Sequence, residues 1–305
     1  MKKNVIVPYQ YNSLTDIHRM LGLPKPKHPL ISFVDNMDGN VDLNRMSSPH
    51  TSTFYKISYK AKLQGKLRYG QHYYDFDEGG LFFVSPNQLV ADADNNKDHT
   101  GYTILFHPDF LLSYPLAKKI KQYGFFAYTA NEALYLSEQE KMTILSVLKI
   151  TKEEINSRID DFSQDVIISQ IDLLLNYSNR FYKRQFITRK FVHNRLLQQL
   201  EETLTNYFTD EKPLNHGLPT VQYLSSQLNV SPSYLSDMLR TMTGQNTQQH
   251  IHHYLIEKAK EKLSTTQLSV SEIAYHLGFE HPQSFSKLFK SKTHLTPLKF
   301  RQRFN

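Results

Sequence analysis

The 305 residues predict an α+β protein of two domains: a strand-rich barrel or sandwich followed by helices, then an all-α domain made of two helical hairpins. Three observations predict it. Apolar and polar residues alternate over Tyr55 to Lys60, the period of a half-buried strand. From Ile167 the apolar residues recur at i, i+1, i+4, i+7 and i+8, the period of a helix. The last third of the chain repeats itself at an offset of 49 to 50 residues.

Composition bounds the chemistry. With 39% hydrophobic and 21% charged residues, 19 Tyr and 19 Phe, the chain has enough apolar surface to bury cores. It has no Cys, which excludes disulfides, Cys-ligated zinc, iron–sulfur clusters and thiol nucleophiles. No run approaches the ~18 apolar residues of a membrane span, and the start, Met1 to Gln10, breaks off too soon for a signal-peptide core. The expectation is a cytoplasmic protein with no membrane partner.

Residues 1–135 read as strands through about residue 130. Tyr55, Ile57 and Tyr59 alternate with Lys56, Ser58 and Lys60. Leu81-Phe82-Phe83-Val84 is a short apolar run between the turn residues Glu78-Gly79-Gly80 and Ser85-Pro86-Asn87. Residues 136–212 read as helical. Ile167, Ile168, Ile171, Leu174 and Leu175 make one apolar stripe, and Leu196, Leu200, Leu204 and Tyr207 a second. These stripes either pack on the strand domain or join two chains. On the second reading Ile167, Ile171, Leu174 and Leu175 form a dimer interface. Asp210 to Pro219, with Pro213, Gly217 and Pro219, cannot continue a helix, so the domain boundary is expected there and residues 213–305 form the last domain.

Formal net charge is +7, with 10 Lys/Arg against 5 Asp/Glu in residues 213–305 but 26 against 24 before them. After Glu280 there is no acid, while Lys287, Lys290, Lys292, Lys299, Arg301 and Arg303 follow. Arg180, Lys183, Arg184, Arg189, Lys190 and Arg195 form a second acid-free cluster. A charge run is usually a solvated face; the alternative is contact with phosphate.

Within the repeat, Leu224, Ser225 and Leu228 align with Ile273, Ala274 and Leu277, and Asn229 with Gly278. One residue of shift later, Leu235, Met238, Leu239 and Arg240 align with Phe285, Leu288, Phe289 and Lys290. Each copy is a short amphipathic segment, a residue suited to a left-handed break, and a second amphipathic segment, which is the helix-turn-helix pattern. The copies span about 219–243 and 269–293, and Ser269-Val270-Ser271-Glu272 opens the second with a capping box. Thr247 to Leu263 has no Gly or Pro and predicts one connecting helix of roughly 25 Å. Such a spacer suits units that enter successive major-groove openings, which lie about 34 Å apart on B-DNA.

Ser269-Val270-Ser271-Glu272-Ile273-Ala274-Tyr275-His276-Leu277-Gly278-Phe279, then Ser284-Phe285-Ser286-Lys287-Leu288-Phe289-Lys290, then Leu295-Thr296-Pro297-Leu298-Lys299-Phe300-Arg301, resembles the signature of the AraC/XylS family of bacterial transcription regulators. The resemblance covers about 90 residues, and Leu224 to Ser236 is a looser first copy. His294 stands where the family usually has Gly, Gln283 where Ser is common, and Asp237 where a base is frequent. His50 to Tyr59, Gly79 to Gln88 and Tyr102 to Leu111 resemble the cupin-like sensor domains of the family, which implies a small-molecule effector, dimerisation, or both.

The sequence carries no complete metal-binding or catalytic pattern. Cupin enzymes hold a metal with a His-x-His pair, a Glu and a later His. Around His72-Tyr73-Tyr74-Asp75-Phe76-Asp77-Glu78 the pair is missing, and His50, His99 and His107 are isolated. His250-Ile251-His252-His253 contains His-x-His, but residues two apart on a helix diverge. No phosphate-cradling loop, nucleophile elbow or metalloprotease motif occurs. The expectation is no metal, no cofactor and no enzyme activity; a cupin-type enzyme with a helical DNA- or protein-binding appendage is the alternative.

The reading is a sequence-specific DNA-binding transcription regulator whose partner is double-stranded promoter DNA. It is expected to be a homodimer, and to meet RNA polymerase if it is an activator. Turning the core residues of each second helix inward leaves Ser233, Ser236, Asp237 and Arg240 in the first unit for the groove. The second unit presents His281, Gln283, Ser284, Ser286, Lys287 and Lys290. Gln suits adenine and Lys guanine, whereas Asp is repelled by phosphate and predicts weak engagement of the first unit.

Overall fold

The computed structural model describes residues 8–41, 45, 49–61, 67–69, 72–74, 79–90, 100–129, 132–157, 160, 162–188 and 190–303. The stretch Asp75 to Glu78, His99 and Arg189, all named above, lies outside the described residues, as do the side chains of His72 and Lys190. The chain divides into two compact units, residues 1–188 and 189–305.

Unit one runs β1 (Tyr9–Tyr11), α1 (Leu14–Leu21), β2 (Ile31–Asp35), β3 (His50–Ser52), β4 (Tyr55–Lys60), β5 (Leu67–Tyr69), β6 (His72–Tyr74), β7 (Gly80–Val84), β8 (Gly101–Phe106), α2 (Leu116–Lys119), β9 (Leu134–Tyr135), α3 (Glu138–Asn156) and α4 (Ser163–Thr188). The main sheet is antiparallel with strand order β2-β8-β4-β7-β9; β1-β3 and β5-β6 form two-stranded ribbons. Sheet first and helices after is the α+β order expected.

Register assigns the two faces, because residues directly opposite share a side. Tyr55, Ile57 and Tyr59 of β4 face the same way as Phe83 and Leu81 of β7 and Phe106 and Ile104 of β8. The Phe83 ring lies 4.5 Å from Phe125, 5.4 Å from Phe126 and 6.2 Å from Tyr182 of α4, so this face forms an aromatic core with the helices. On the other face Val34 and Leu105 pack with Leu14, Ile17 and Leu21 of α1 and with Tyr11 and Phe54.

Helix α1 falls inside the stretch read as strands. Its signals are in the sequence: Ser13 accepts from the Asp16 amide, Leu14, Ile17 and Leu21 share the buried side, and Gly22 ends the helix in the left-handed conformation at φ 68°. One eight-residue helix among strands is easily overlooked, since it shows barely two turns of its period.

The dimer-interface expectation for Ile167, Ile171, Leu174 and Leu175 is corrected here. Ile167 is 5% exposed and the other three are 0% exposed in the single chain, so none of them offers surface to a second copy. Their stripe packs with α3, whose Ile144, Val147 and Leu148 are buried as well. Gln185 fastens α4 to the sheet edge, accepting from the Tyr135 amide at 3.0 Å and donating to the Ala133 carbonyl at 3.2 Å.

Unit two runs α5 (Lys190–Thr209), α6 (Lys212–His216), α7 (Val221–Gln227), α8 (Pro232–Thr243), α9 (Thr247–Thr265), α10 (Val270–His276), α11 (Pro282–Thr293) and α12 (Pro297–Arg301). The division between the units falls before α5, earlier than the Asp210–Pro219 stretch suggests. The reason is that α5 packs with the helices that follow it: His193 lies 3.3 Å from the Tyr234 hydroxyl, the Phe208 and Tyr254 rings stack at 5.3 Å, and the Tyr207 hydroxyl donates to the Gly217 carbonyl at 3.0 Å. The Asp210–Pro219 stretch itself holds the short α6, with Pro213 near its start, where a missing N–H costs nothing.

Candidate nucleic-acid interface

Helices α7 and α8 form the first hairpin and α10 and α11 the second. Each begins on a side-chain cap except α11: Thr220 accepts from the Tyr223 amide, Ser231 from the Tyr234 amide, and Ser269 and Glu272 close the expected capping box. The turns are left-handed at Asn229, φ 54°, and Gly278, φ 88°. Leu224, Leu235, Met238 and Leu239 are 0% exposed in the first hairpin, as are Ile273, Ala274 and Phe289 in the second. His294 ends α11 in the left-handed conformation at φ 60°, the place Gly244 takes at the end of α8 at φ 77°.

Helix α9 connects the hairpins. Its 19 residues span about 28 Å at 1.5 Å per residue, and Ile251, Leu255, Ala259 and Leu263 bury one side of it. Asn246 and Gln249 cap its start reciprocally.

The outward residues of the two second helices differ in kind. On α11, Gln283, Ser284, Lys287 and Lys290 are exposed, Ser286 is half-buried, and His281 is exposed at the N-cap without a side-chain capping bond. The side chains of Gln283, Lys287 and Lys290 have no hydrogen-bond or ion-pair partner among the described residues. On α8, Ser233 is half-buried and Ser236 is held 3.0 Å from the Thr247 hydroxyl of α9. Asp237 accepts from Arg240 Nη1 at 3.0 Å, which ties up the one exposed residue of that set.

Basic residues sort in the same way. Arg301 donates to the carbonyls of Leu263 and Leu268 at 3.3 and 2.5 Å, closing the chain end onto the end of α9. In unit one Arg184 forks onto Glu140 at 3.0 and 2.5 Å and also reaches the Tyr135 carbonyl, so it is a structural cation. Outside the expected set, Gln245, Gln249, His253, Ile256, Glu257, Lys260 and Lys292 line a groove of about 280 Å³ beside α9, in which Lys260 pairs with Glu257 at 2.7 Å. Of these, Lys292 has a sequence signal in the acid-free tail and His253 in the His250–His253 stretch. His250 is half-buried and titrates below the ordinary His value, first because of burial and then because of His253. His252 shifts the same way through burial and Lys292. Among the described residues no three His, Asp or Glu side chains converge on a metal position, and no helix is long and apolar enough to cross a membrane.

Two capped helix-turn-helix hairpins on one connecting helix, one presenting unpaired basic and amide side chains, define a DNA-binding protein of the double helix-turn-helix class. Known proteins agree. The model of the helix-turn-helix domain matches residues 224–303, and that of the AraC-like ligand binding domain matches residues 39–158. An HTH-type transcriptional regulator of Bacillus subtilis (strain 168), YfiF, is 24% identical over 260 residues, covering 83% of this chain and 78% of its own. The regulatory protein SoxS of Salmonella typhimurium is 29% identical over 111 residues, 36% of this chain and 97% of its own. The chain spans only 6% of the length of histidine kinase P4 from Formosa agariphila, to which it is 30% identical over 81 residues. Residues 39–158 and 224–303 thus carry the two domains of an AraC-type transcriptional regulator, a ligand-binding domain and a helix-turn-helix DNA-binding domain.

Proposed function

We propose that this protein is a sequence-specific transcription regulator that acts in the cytoplasm, reads promoter DNA in the major groove and answers to a small-molecule effector through its N-terminal unit. The observation that carries the reading is the exposed face of α11, where the side chains of Gln283, Lys287 and Lys290 have no partner among the described residues, on the helix that follows the capped α10 and its turn. Lys287 and Gln283 suit base edges, Lys290 and the N-terminal end of the helix suit phosphates. The first hairpin engages more weakly, because Asp237 both repels phosphate and holds Arg240. The AraC-like ligand binding domain over residues 39–158 supports effector control. Pairing of two chains would raise affinity through effective concentration, on surfaces other than the four buried α4 residues. Contact with RNA polymerase belongs to this reading only if the outcome is activation.

The test is selection of bound sequences from random duplex DNA with the full chain, followed by titration of the recovered site at several salt concentrations. A recovered motif whose binding falls steeply with salt and weakens on Gln283→Ala or Lys287→Ala supports the reading. Recovery of no motif would sink it.

A further inference from the structure

The second helices of the two hairpins have the same length and open in the same way, yet their first turns lie in different surroundings. Pro232 opens α8 and Pro282 opens α11, each of 12 residues, and Tyr234 and Ser284 occupy the same place in the first turn of each. Ser284 is exposed, whereas Tyr234 is 7% exposed. Tyr234 meets a residue from outside the repeat: His193, near the start of α5, holds Nε2 3.3 Å from the Tyr234 hydroxyl, with the two ring centres 6.4 Å apart.

His193 is 0% exposed, so two polar groups have been taken out of water here, a cost that an apolar pair would not carry. What the polar pair adds is direction. A ring nitrogen facing a hydroxyl fixes one orientation of the helix, whereas an apolar contact tolerates small rotations. The place of the contact matters as well. Tyr234 lies in the first turn of α8, where its amide donates to the Ser231 cap at 3.2 Å, and the N-terminal end of such a second helix is the part that meets base edges. One turn further on, Ser236 is held 3.0 Å from the Thr247 hydroxyl of α9, so α8 is gripped from α5 at its start and from α9 beyond it. Helix α5 is a firm support: Leu200, Leu204 and Tyr207 are buried, the Tyr207 and Tyr223 ring centres lie 5.0 Å apart, and the Tyr254 hydroxyl donates to Thr205 Oγ1 at 3.2 Å.

We propose that His193 is a positioning residue for DNA reading: through the Tyr234 hydroxyl it sets the angle and depth at which α8 offers Ser233 and Ser236 to the groove, and so the base preference of the half-site under the first hairpin. The half-site under α11 does not depend on it, because Ser284 has no such buried anchor at the matching place. The proposal rests on the DNA-binding reading above and puts the control of one of its two helices outside the repeat. Recognition groups have to be held within about 0.5 Å of their working positions, and a directional contact in the first turn supplies that restraint.

The experiment is selection of a bound site from random duplex DNA with the full chain, followed by hydroxyl-radical footprinting and titration of sites carrying base changes in either half. The half whose preference relaxes in Gln283→Ala belongs to α11, and the other to α8. Tyr234→Phe keeps the buried ring and removes only the hydroxyl. It and His193→Ala should each lower base discrimination in the α8 half about threefold to tenfold, the net size of one hydrogen bond, and leave the α11 half unchanged. His193→Gln keeps a group that can reach the hydroxyl and should restore most of the difference. A role in packing alone would weaken both halves together, so equal loss in both overturns the proposal. A selected motif with an unchanged α8 half in Tyr234→Phe sinks this proposal alone, whereas a wild type that selects no motif sinks the regulator reading and this proposal with it.

Discussion

A Cβ on Gly278 would lie 2.7 Å from the carbonyl carbon and oxygen of Gly217, so the second hairpin's turn is pressed against the end of α6. Asn229, at the matching place in the first hairpin, adopts a left-handed φ of 54° and is exposed. The same Gly217 carbonyl accepts from the Tyr207 hydroxyl, so α5, α6 and the second turn meet at one peptide. Gly278→Ala should therefore destabilise the protein by about 2 kcal/mol or more, from left-handed strain plus a backbone clash, while Asn229→Gly should change stability by less than about 1 kcal/mol. Denaturant unfolding of both variants checks this; equal effects would contradict the packing account.

On α11, Gln283→Ala and Lys287→Ala should each cost about 1 to 3 kcal/mol of site affinity and relax preference at one or two base pairs. Lys290→Ala should weaken all sequences alike and lower the salt slope by about 1. Unchanged preference in the first two variants would remove those residues from the base-reading set.

Asp237 and Arg240 pair at 3.0 Å on the exposed side of α8. Asp237→Asn removes the repulsion and frees the guanidinium for phosphate, so binding should tighten for all sites. A loss confined to sites carrying one particular cytosine would show instead that Asp237 accepts from its amino group.

Arg184→Ala should lower stability by about 1 to 3 kcal/mol, because Glu140 is left partly buried without its fork, and should leave DNA affinity unchanged. Anisotropy titration showing a clear drop in DNA affinity would return this residue to the phosphate-binding set.

Lys56 makes stability depend on pH with a definite sign. Its folded value of about 8 lies below the ordinary 10.5, so between the two the unfolded chain binds more protons and stability rises with pH. The gain should approach about 3 kcal/mol by pH 10.5, set against the other groups that titrate in that range. Below pH 8 both states carry the proton and the penalty is fully present, so Lys56→Met should be the more stable protein at pH 7 and should lack this part of the slope. Parallel pH–stability profiles for the two proteins would contradict the depressed folded value of Lys56.

Much of the architecture is local and therefore visible in one dimension. A strand announces itself by alternation at Tyr55 to Lys60, a helix by the stripe from Ile167, a hairpin by its caps and its left-handed residue, and a repeat by comparison of the chain with itself; all of these depend on neighbours a few residues apart. His294 could be placed in a left-handed position from its alignment with the Gly at the end of the first copy. What tertiary structure decided is where those patterns meet. The stripe of Ile171 and Leu174 looks the same whether it faces α3 or a second chain, and only the packing shows that it is core. Lys287, Arg184 and Arg301 are alike as letters in basic runs, but Arg184 meets Glu140 and Arg301 meets the carbonyls of Leu263 and Leu268, while Lys287 meets none of the described residues. Lys56 reads as the polar half of an ordinary alternation, and its lowered pKa comes from strands distant in sequence that pack around it, with no acid paired to it among the described residues. Periodicity depends on the backbone's own geometry, whereas burial and charge pairing depend on which distant segments the fold brings together.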